Sequence, residues 1–280
     1  MSRGWVSIVA VLPLAACSAA VNYTDQAGPR YGQARPLAQA PAGDTLRLVT
    51  FNIAFARHTD VAIELLRGDR ELAGADLIFL QEMDAPSAAR VADSLGLSWV
   101  YYPATHHPET HRDFGNAILS RYPIVDDTKL PLPHLARLRG TQRAAVAATI
   151  LIGGRPVRVY DVHLATMVGN GPIARRDQLR VVLEDAERYP DAIIAGDFNS
   201  ETVPAMALER GFRWPTQRLP HTSGLWTFDH VLLRGFTAAD SASVGVVADN
   251  RGASDHRPVW AVLVRDRPCA AAAGSAAGAH

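Results

Sequence analysis

The chain has 280 residues, 48% hydrophobic and 20% charged, and its 28 Lys+Arg balance 28 Asp+Glu to a formal net charge of +0. That composition gives a globular chain with material for a sizeable core; it excludes collagen-like and disordered classes and leaves no global positive field for a long polyanion. Two cysteines exclude a disulfide scaffold or a Cys-rich zinc module, and the single lysine, Lys129, argues against a P-loop and against Schiff-base chemistry.

At the N-terminus, Arg3 precedes an apolar run from Trp5 to Leu14. The run is shorter than the about 20 residues a membrane span needs, and it ends in small residues as the core of an export signal does. Leu14-Ala15-Ala16-Cys17 resembles the bacterial lipobox. That resemblance implies a lipoprotein-type signal over 1–17, acylation of Cys17 and attachment to a membrane through the lipid. With Ser18 behind the cysteine, it also implies an exported chain, an outer-membrane lipoprotein or a periplasmic protein of a Gram-negative bacterium. The alternative is an ordinary signal peptide containing a cysteine. An acylated Cys17 leaves Cys269 unpaired, so no disulfide is expected. Residues 18–44 are rich in Pro, Gly, Gln and Ala without periodicity and read as a flexible tether.

From Thr45 to Val264 no comparable linker interrupts the chain, which predicts one domain over 45–264, and 265–280 reads as a disordered Ala/Gly-rich tail. Strands are expected at Leu46–Phe51, Asp76–Leu80, Trp99–Tyr102, Asn116–Leu119, Ala144–Ile152, Val157–Val162, Ala192–Ala195, Asp229–Leu233 and Pro258–Val264. Apolar spacing and capping residues predict helices over Asp60–Ala73, Pro86–Leu95 (stopped by Gly96) and Pro172–Tyr189. Gly153-Gly154 marks a hairpin turn. Hairpins mixed with helices point to an α/β chain with two stacked sheets and helices outside.

Most of these strands end in a polar residue. Asn52, Glu82, His163 and the Asp197/Asn199 pair follow apolar runs, and Asp255-His256 precedes the last one. One such residue is ordinarily a cap or turn former, but a series separated by core segments predicts a polar rim. Glu82, Asp255 and Asn52 are hard oxygen donors suited to Mg²⁺ or Mn²⁺. His163 and His256 lack zinc-site spacing and suit proton handling or phosphate binding, with Asp229 a candidate to orient His256.

These segments, in this order, resemble the endonuclease/exonuclease/phosphatase superfamily with its deoxyribonuclease I-like fold. The matching pieces are Thr50-Phe51-Asn52-Ile53, Gln81-Glu82, Gly115-Asn116-Ala117-Ile118-Leu119-Ser120-Arg121, His163-Leu164, Gly196-Asp197-Phe198-Asn199, Asp229-His230 and Ser254-Asp255-His256-Arg257-Pro258. The resemblance implies a four-layer αββα sandwich of two packed mixed sheets with helices outside. It implies a metal shell of Asn52, Glu82 and Asp255; an attacking water oriented by Asp197; a phosphate held by Asn199 and His163; and His256 supported by Asp229 as acid, base or charge clamp. Asn116 and Arg143 are further candidates for phosphate contact, with strand bracing the alternative for Asn116. His230 falls on the opposite face of its strand and is expected to pack.

Two stretches are candidate substrate readers. The His106-His107 loop through Arg112 has a solvated loop as its plain alternative, and Pro131–Arg143 carries Arg137, Arg139 and Arg143 without aromatic residues to stack bases. Trp214 and Trp226 flank a third loop, with no clear aromatic hairpin for entering lipid. The function expected is a metal-dependent phosphoesterase acting on nucleic acid, a phospholipid head group or a small phosphodiester, with no protein partner implied. An extracytoplasmic nuclease and a non-catalytic binding module on the same fold are the alternatives.

Overall fold

The computed structural model describes residues 20–35 and 45–266. The signal segment with Cys17, residues 36–44 of the expected tether, and the tail from 267 with Cys269 lie outside the described residues.

The first half of the chain builds one sheet from β1 (Val21–Asn22), β2 (Tyr31–Gln33), β3 (Thr45–Asn52), β4 (Leu77–Met83), β5 (Ser98–His107) and β6 (Arg112–Ser120). Helix α1 (Thr59–Gly68) joins β3 to β4, and α2 (Ala85–Leu95) joins β4 to β5. The middle builds a second sheet from β7 (Ile124–Pro131), β8 (Ala144–Ile152), β9 (Arg155–His163), β10 (Ala192–Asp197) and β11 (Asp229–Arg234), with α3 (Pro172–Ala186) between β9 and β10. The chain then returns to the first sheet as β12 (Phe236–Ala238), β13 (Val244–Val246) and β14 (Val259–Arg265). The first sheet runs β1-β5-β6-β4-β3-β14-β12, with β2 also on β5 and β13 also on β14; the second runs β11-β10-β9-β8-β7. The parallel pairs β3/β4 and β9/β10 are the ones bridged by α1 and α3, since parallel strands need a crossover.

Alternation along the strands divides the apolar residues among three cores. On β3 and β4, Leu46, Leu48, Leu77 and Phe79 face the second sheet, meeting Val146, Val159, Ile193 and Val231. Their neighbours Val49, Phe51, Ile78 and Leu80 face α1 and α2, meeting Leu65 and Val91. On the second sheet Tyr160, Val162 and Ile194 face outward onto Leu179 and Leu183 of α3. Helix, sheet, sheet, helix is the expected four-layer sandwich.

Local signals set the ends. Asp84 accepts a hydrogen bond from the Ser87 N–H (2.8 Å) to cap α2, and Gly96 closes it in the left-handed conformation. Helix α1 stops at Gly68, short of the expected Ala73, because Asp69 is extended and its carboxylate caps the following turn at the Glu71 N–H. Helix α3 ends at Ala186. The loop expected from Thr105 to Arg112 is largely the β5–β6 hairpin, with His107 packed on Phe55 and Phe114. Strand β7 escapes a periodicity search because it is an edge strand, reading polar through Asp126, Asp127 and Thr128.

The expected flexible tether is corrected in its first part. Residues 20–35 form an ordered strap in which β1 and β2 both pair with the outer edge of β5. The strap also reaches the second sheet. Arg30 forks onto Asp127 (2.6 and 2.7 Å), and the buried Lys129 Nζ donates to the carbonyls of Gly28 (2.8 Å) and Pro103 (3.4 Å). Asn22 donates to Gly140 O (2.8 Å) and accepts from the Gln142 N–H (2.8 Å). Proline and glycine composition conceals this order, because specific side chains hold the strap and no apolar face does.

Burial pushes the Lys129 amine down to about 8. The unfolded chain therefore binds this proton more tightly than the folded one between pH 8 and the ordinary lysine value, so stability from this group rises with pH there. Measured by urea unfolding, the advantage of the chain over Lys129→Met should grow by about 1–2 kcal/mol from pH 8 to about 9.5.

Candidate active site

The strands that alternate apolar residues into the space between the sheets end that alternation in polar ones. Asn52 continues the Leu46, Leu48 series; Asp161 and His163 continue Val157, Val159; Asp197 continues Ile193, Ala195; and Asp229 opens the series Val231, Leu233. Register sets these groups side by side, with Asp197 opposite His163 on β9 and opposite Asp229 on β11, and Asn52 opposite Gln81 on β4. At Gly196 the backbone has φ 143°, and a Cβ there would lie 2.0 Å from Val162 O. Glycine lets β10 close on β9 just before the His163–Asp197 pair.

Glu82 reaches the same rim by a different device. The β4–β6 register shifts between Leu80 and Met83, and Glu82 takes φ +60°. The bulge brings its side chain in beside Asn52. A left-handed turn at Ala54, Phe55 and Ala56 receives it, with the Phe55 N–H donating to Glu82 Oε2 (3.0 Å). Neither bulge nor turn contains the glycine that would have signalled it.

Asn52 Nδ2 bridges two carboxylates, Glu82 Oε1 at 3.3 Å and Asp197 Oδ2 at 3.1 Å, while its Oδ1 accepts from the Ala54 N–H (3.1 Å). Asp197 Oδ1 accepts from the Asn199 N–H (2.8 Å). Across the cleft, His256 Nδ1 lies 2.8 Å from Asp229 Oδ2, and its Nε2 faces Asp197 Oδ2 at 3.7 Å. His163 Nδ1 lies 3.1 Å from an Arg143 guanidinium nitrogen and so acts as acceptor, leaving the Nε2 proton directed toward Asp197 Oδ2 at 3.5 Å. Arg143 also lies over the Phe114 ring at 5.0 Å.

Burial divides the two imidazoles. Desolvation, then the nearby Arg143 and His256 charges, hold His163 well below its ordinary value, so it is neutral. Burial would also depress His256, but the Asp229, Asp197 and Asp255 carboxylates outweigh it and raise the imidazole to about 10. Burial lifts the Asp197 carboxyl to about 7 against the pull of His256, and burial likewise raises Glu82.

Not every candidate joins this group in the same way. Asn199 takes φ +48° and its Nδ2 donates to Leu164 O (3.1 Å), at the edge of the cluster. Asp255 is exposed at the mouth, accepting from the Ser254 hydroxyl (3.3 Å). Asn116 donates to Asp161 O (3.1 Å) and sits at 3.5 Å from Ala144 O, spanning from the first sheet to the second. His230 packs against Trp214 and Phe198, on the far face as expected. Two residues escaped the sequence analysis: Phe55, whose N–H holds Glu82, and Asp161, buried between the sheets on Gln81 (2.6 Å).

The donor set fits a divalent cation. Glu82, Asp197, Asp229 and Asp255 bring four carboxylates to one cleft, while Asp229 Oδ1 is buried without a partner. Ligand atoms of Asp197, Asp229 and His256 lie within 4.8 Å of one another, a group that could hold a metal. Asp229 meets His256 through Oδ2, and Glu82 accepts from Asn52 and the Phe55 N–H, so both carboxylates keep lone pairs for a cation.

A family model described as the Endonuclease/Exonuclease/phosphatase family matches residues 49–256, and the chain belongs to that family. Among solved structures it is similar to an endonuclease/exonuclease/phosphatase from Beutenbergia cavernae DSM 12333, with 21% identity and a TM-score of 0.64 over 79% of this chain and 72% of that one. It is similar to D. rerio TDP2 complexed with single strand DNA product, with 17% identity and a TM-score of 0.64 over 78% and 98%. The human Nocturnin catalytic domain with bound sulfate anion gives 19% identity and a TM-score of 0.62 over 80% and 95%. No curated protein sequence matches the chain. Family members are hydrolases of phosphoester bonds and are typically dependent on a divalent metal.

Asp229 is the nearest counter-charge to the His256 ring. Asp229→Asn should therefore lower the His256 pKa by roughly two units or more, as read by NMR titration of the imidazole carbons. An unmoved value would assign the raised basicity to Asp197 and Asp255 instead.

Proposed function

We propose that the chain is a metal-dependent phosphoesterase that hydrolyses phosphodiester or phosphomonoester bonds by in-line attack of water. The observation that carries this reading is the facing pair, an Asp229-supported His256 imidazole directed at the Asp197 carboxylate across a cleft walled by Glu82 and Asn52. Glu82 and Asp255, with Asn52 orienting the carboxylates, would hold Mg²⁺ or Mn²⁺. Bound there, the cation would neutralise phosphate oxygens and stabilise the charge that develops on phosphorus.

In this reading Asp197, raised toward neutrality, orients water and accepts its proton. His256 stays protonated and either donates to the leaving oxygen or steadies the developing negative charge. Neutral His163 offers its Nε2 proton, and Asn199 its amide, to the phosphate. Arg143 adds a fixed positive charge behind His163. Asn116 contributes by bracing the two sheets, since its amide N–H groups are spent on backbone carbonyls.

The chain is further proposed to be exported and held at a membrane through lipid on Cys17, on the strength of the Leu14-Ala15-Ala16-Cys17 pattern. No described helix is long and apolar enough to cross a membrane. Nucleic acid belongs in the substrate panel, because the D. rerio TDP2 relative is described with a DNA product. Phospholipid head groups and small phosphodiesters complete it.

Incubation with bis-p-nitrophenyl phosphate, DNA, RNA, phosphoinositides and sphingomyelin should show hydrolysis that a chelator abolishes and Mg²⁺ or Mn²⁺ restores. Glu82→Ala and His256→Ala should each lower kcat by roughly 10²–10⁴-fold with the fold intact by circular dichroism. Activity that survives chelation and both substitutions refutes the mechanism. Globomycin should block processing of the expressed chain, and Cys17→Ser should abolish its labelling by radioactive palmitate; a chain with Cys17 that takes up no palmitate refutes the lipid anchor.

A further inference from the structure

Two loops outside the reacting groups form one surface. Residues 133–140 lead toward Arg143 at the head of β8, and residues 166–173 follow His163 at the end of β9. They are knitted together: the Arg137 N–H donates to Gly169 O (3.3 Å), Asn170 Nδ2 to Leu135 O (3.3 Å), and Gln178 Nε2 to Pro133 O (2.8 Å). From this base they turn aliphatic side chains outward, with Leu138 82%, Val168 89% and Ile173 69% exposed, and Leu135 and Met167 beside them in the same loops. Five of the eleven large hydrophobic residues exposed among the described residues sit here. Such a concentration is uncommon on a monomer surface unless it has an occupant.

The surrounding charge points to that occupant. Although the chain is neutral overall, residues 133–140 and 166–176 contain no acidic residue and expose Arg137, Arg139 and Arg176; at their border Asp177 pairs with His134 and Arg180, and Glu109 pairs with Arg139. Projecting aliphatic residues with Arg137 and Arg176 in the same segments fit an anionic lipid surface, where the apolar tips enter the acyl boundary and the guanidinium groups meet phosphates. The loops carry no Trp, Tyr or Phe to stack bases, which separates them from a single-stranded nucleic-acid platform. Strand β1 lies beside this patch, since Asn22 is hydrogen-bonded to Gly140 and Gln142.

We propose that loops 133–140 and 166–173 form a lipid-docking surface that seats the mouth of the cleft on an anionic bilayer. The inference rests on the proposed membrane-side location but not on acylation of Cys17. It places the phosphoesters within reach of His163 and Arg143 at a membrane interface.

The test uses the chain from Ser18 to His280, which keeps every described element and lacks Cys17. It should co-sediment with vesicles of phosphatidylcholine and phosphatidylglycerol, more weakly at high salt, and little with phosphatidylcholine alone. Vesicles should slow amide exchange at 133–140 and 166–173 specifically. The double variant L138D/V168D, with an unchanged thermal midpoint, should bind vesicles roughly tenfold or more less tightly. No vesicle binding, or binding that L138D/V168D leaves intact, overturns the proposal. So does self-association lost in the double variant, which assigns the face to a second copy, or loop protection by a single-stranded oligonucleotide and not by vesicles. A chain that binds in this way yet hydrolyses no phosphoester fails the functional reading alone. One that hydrolyses without binding fails this proposal alone.

Discussion

The alternation of side chains on two facing sheets is the constraint on which the rest of the molecule depends. For most of their length the inner faces are Leu, Val, Ile and Phe, and dry contact between them holds the sandwich closed. At one end the same register positions become Asn52, Asp161, His163, Asp197 and Asp229. The polar cluster is thus the mouth of the core, and its geometry inherits the precision of strand pairing. Groups on rigid strands hold their separations better than groups on loops, which suits a site that must align several atoms.

That arrangement concentrates negative charge where water is scarce. The Asn52 amide lies between Glu82 and Asp197, the Asp229 carboxylate is neutralised by His256, and Arg143 stands behind His163. Burial still raises Glu82 and Asp197. The cluster is short of positive charge, which is the condition a divalent cation relieves. Backbone strain is concentrated here too. Glu82, Asn199 and the run Ala54, Phe55 and Ala56 all have positive φ without being glycine. Such conformations cost of order 1–3 kcal/mol each and persist where surrounding structure holds them.

Much of this was legible because strands announce their ends. Asn52, His163, Asp197 and Asp229 lie on strands whose apolar runs are plain in the sequence, and the opposite parity of His230 correctly placed it in packing. The orientation of Glu82 was not legible: simple alternation would set it with Ile78 and Leu80 against the helices, and only the bulge reverses it. Strand β7 was hidden by its edge position, where polar residues face water and Lys129 turns inward to meet backbone carbonyls. Residues 20–35 were hidden for a related reason. Their order comes from Asn22, Arg30 and partners about a hundred residues away, so no local pattern carries it.

That strap has a consequence for how the chain comes together. Val21 pairs with His106, and Gly28 waits for Lys129, so this segment must wait for partners that lie far later in the chain. Long-range closure of this kind is slow to form. Until it forms, the border of β5 presents an open row of amide and carbonyl groups, a template for another chain to add to. A protease that trims the chain past Gln33 would uncover the same border in the mature molecule. Residues 20–35 therefore act as a guard against aggregation as well as a brace for the loop that leads to Arg143.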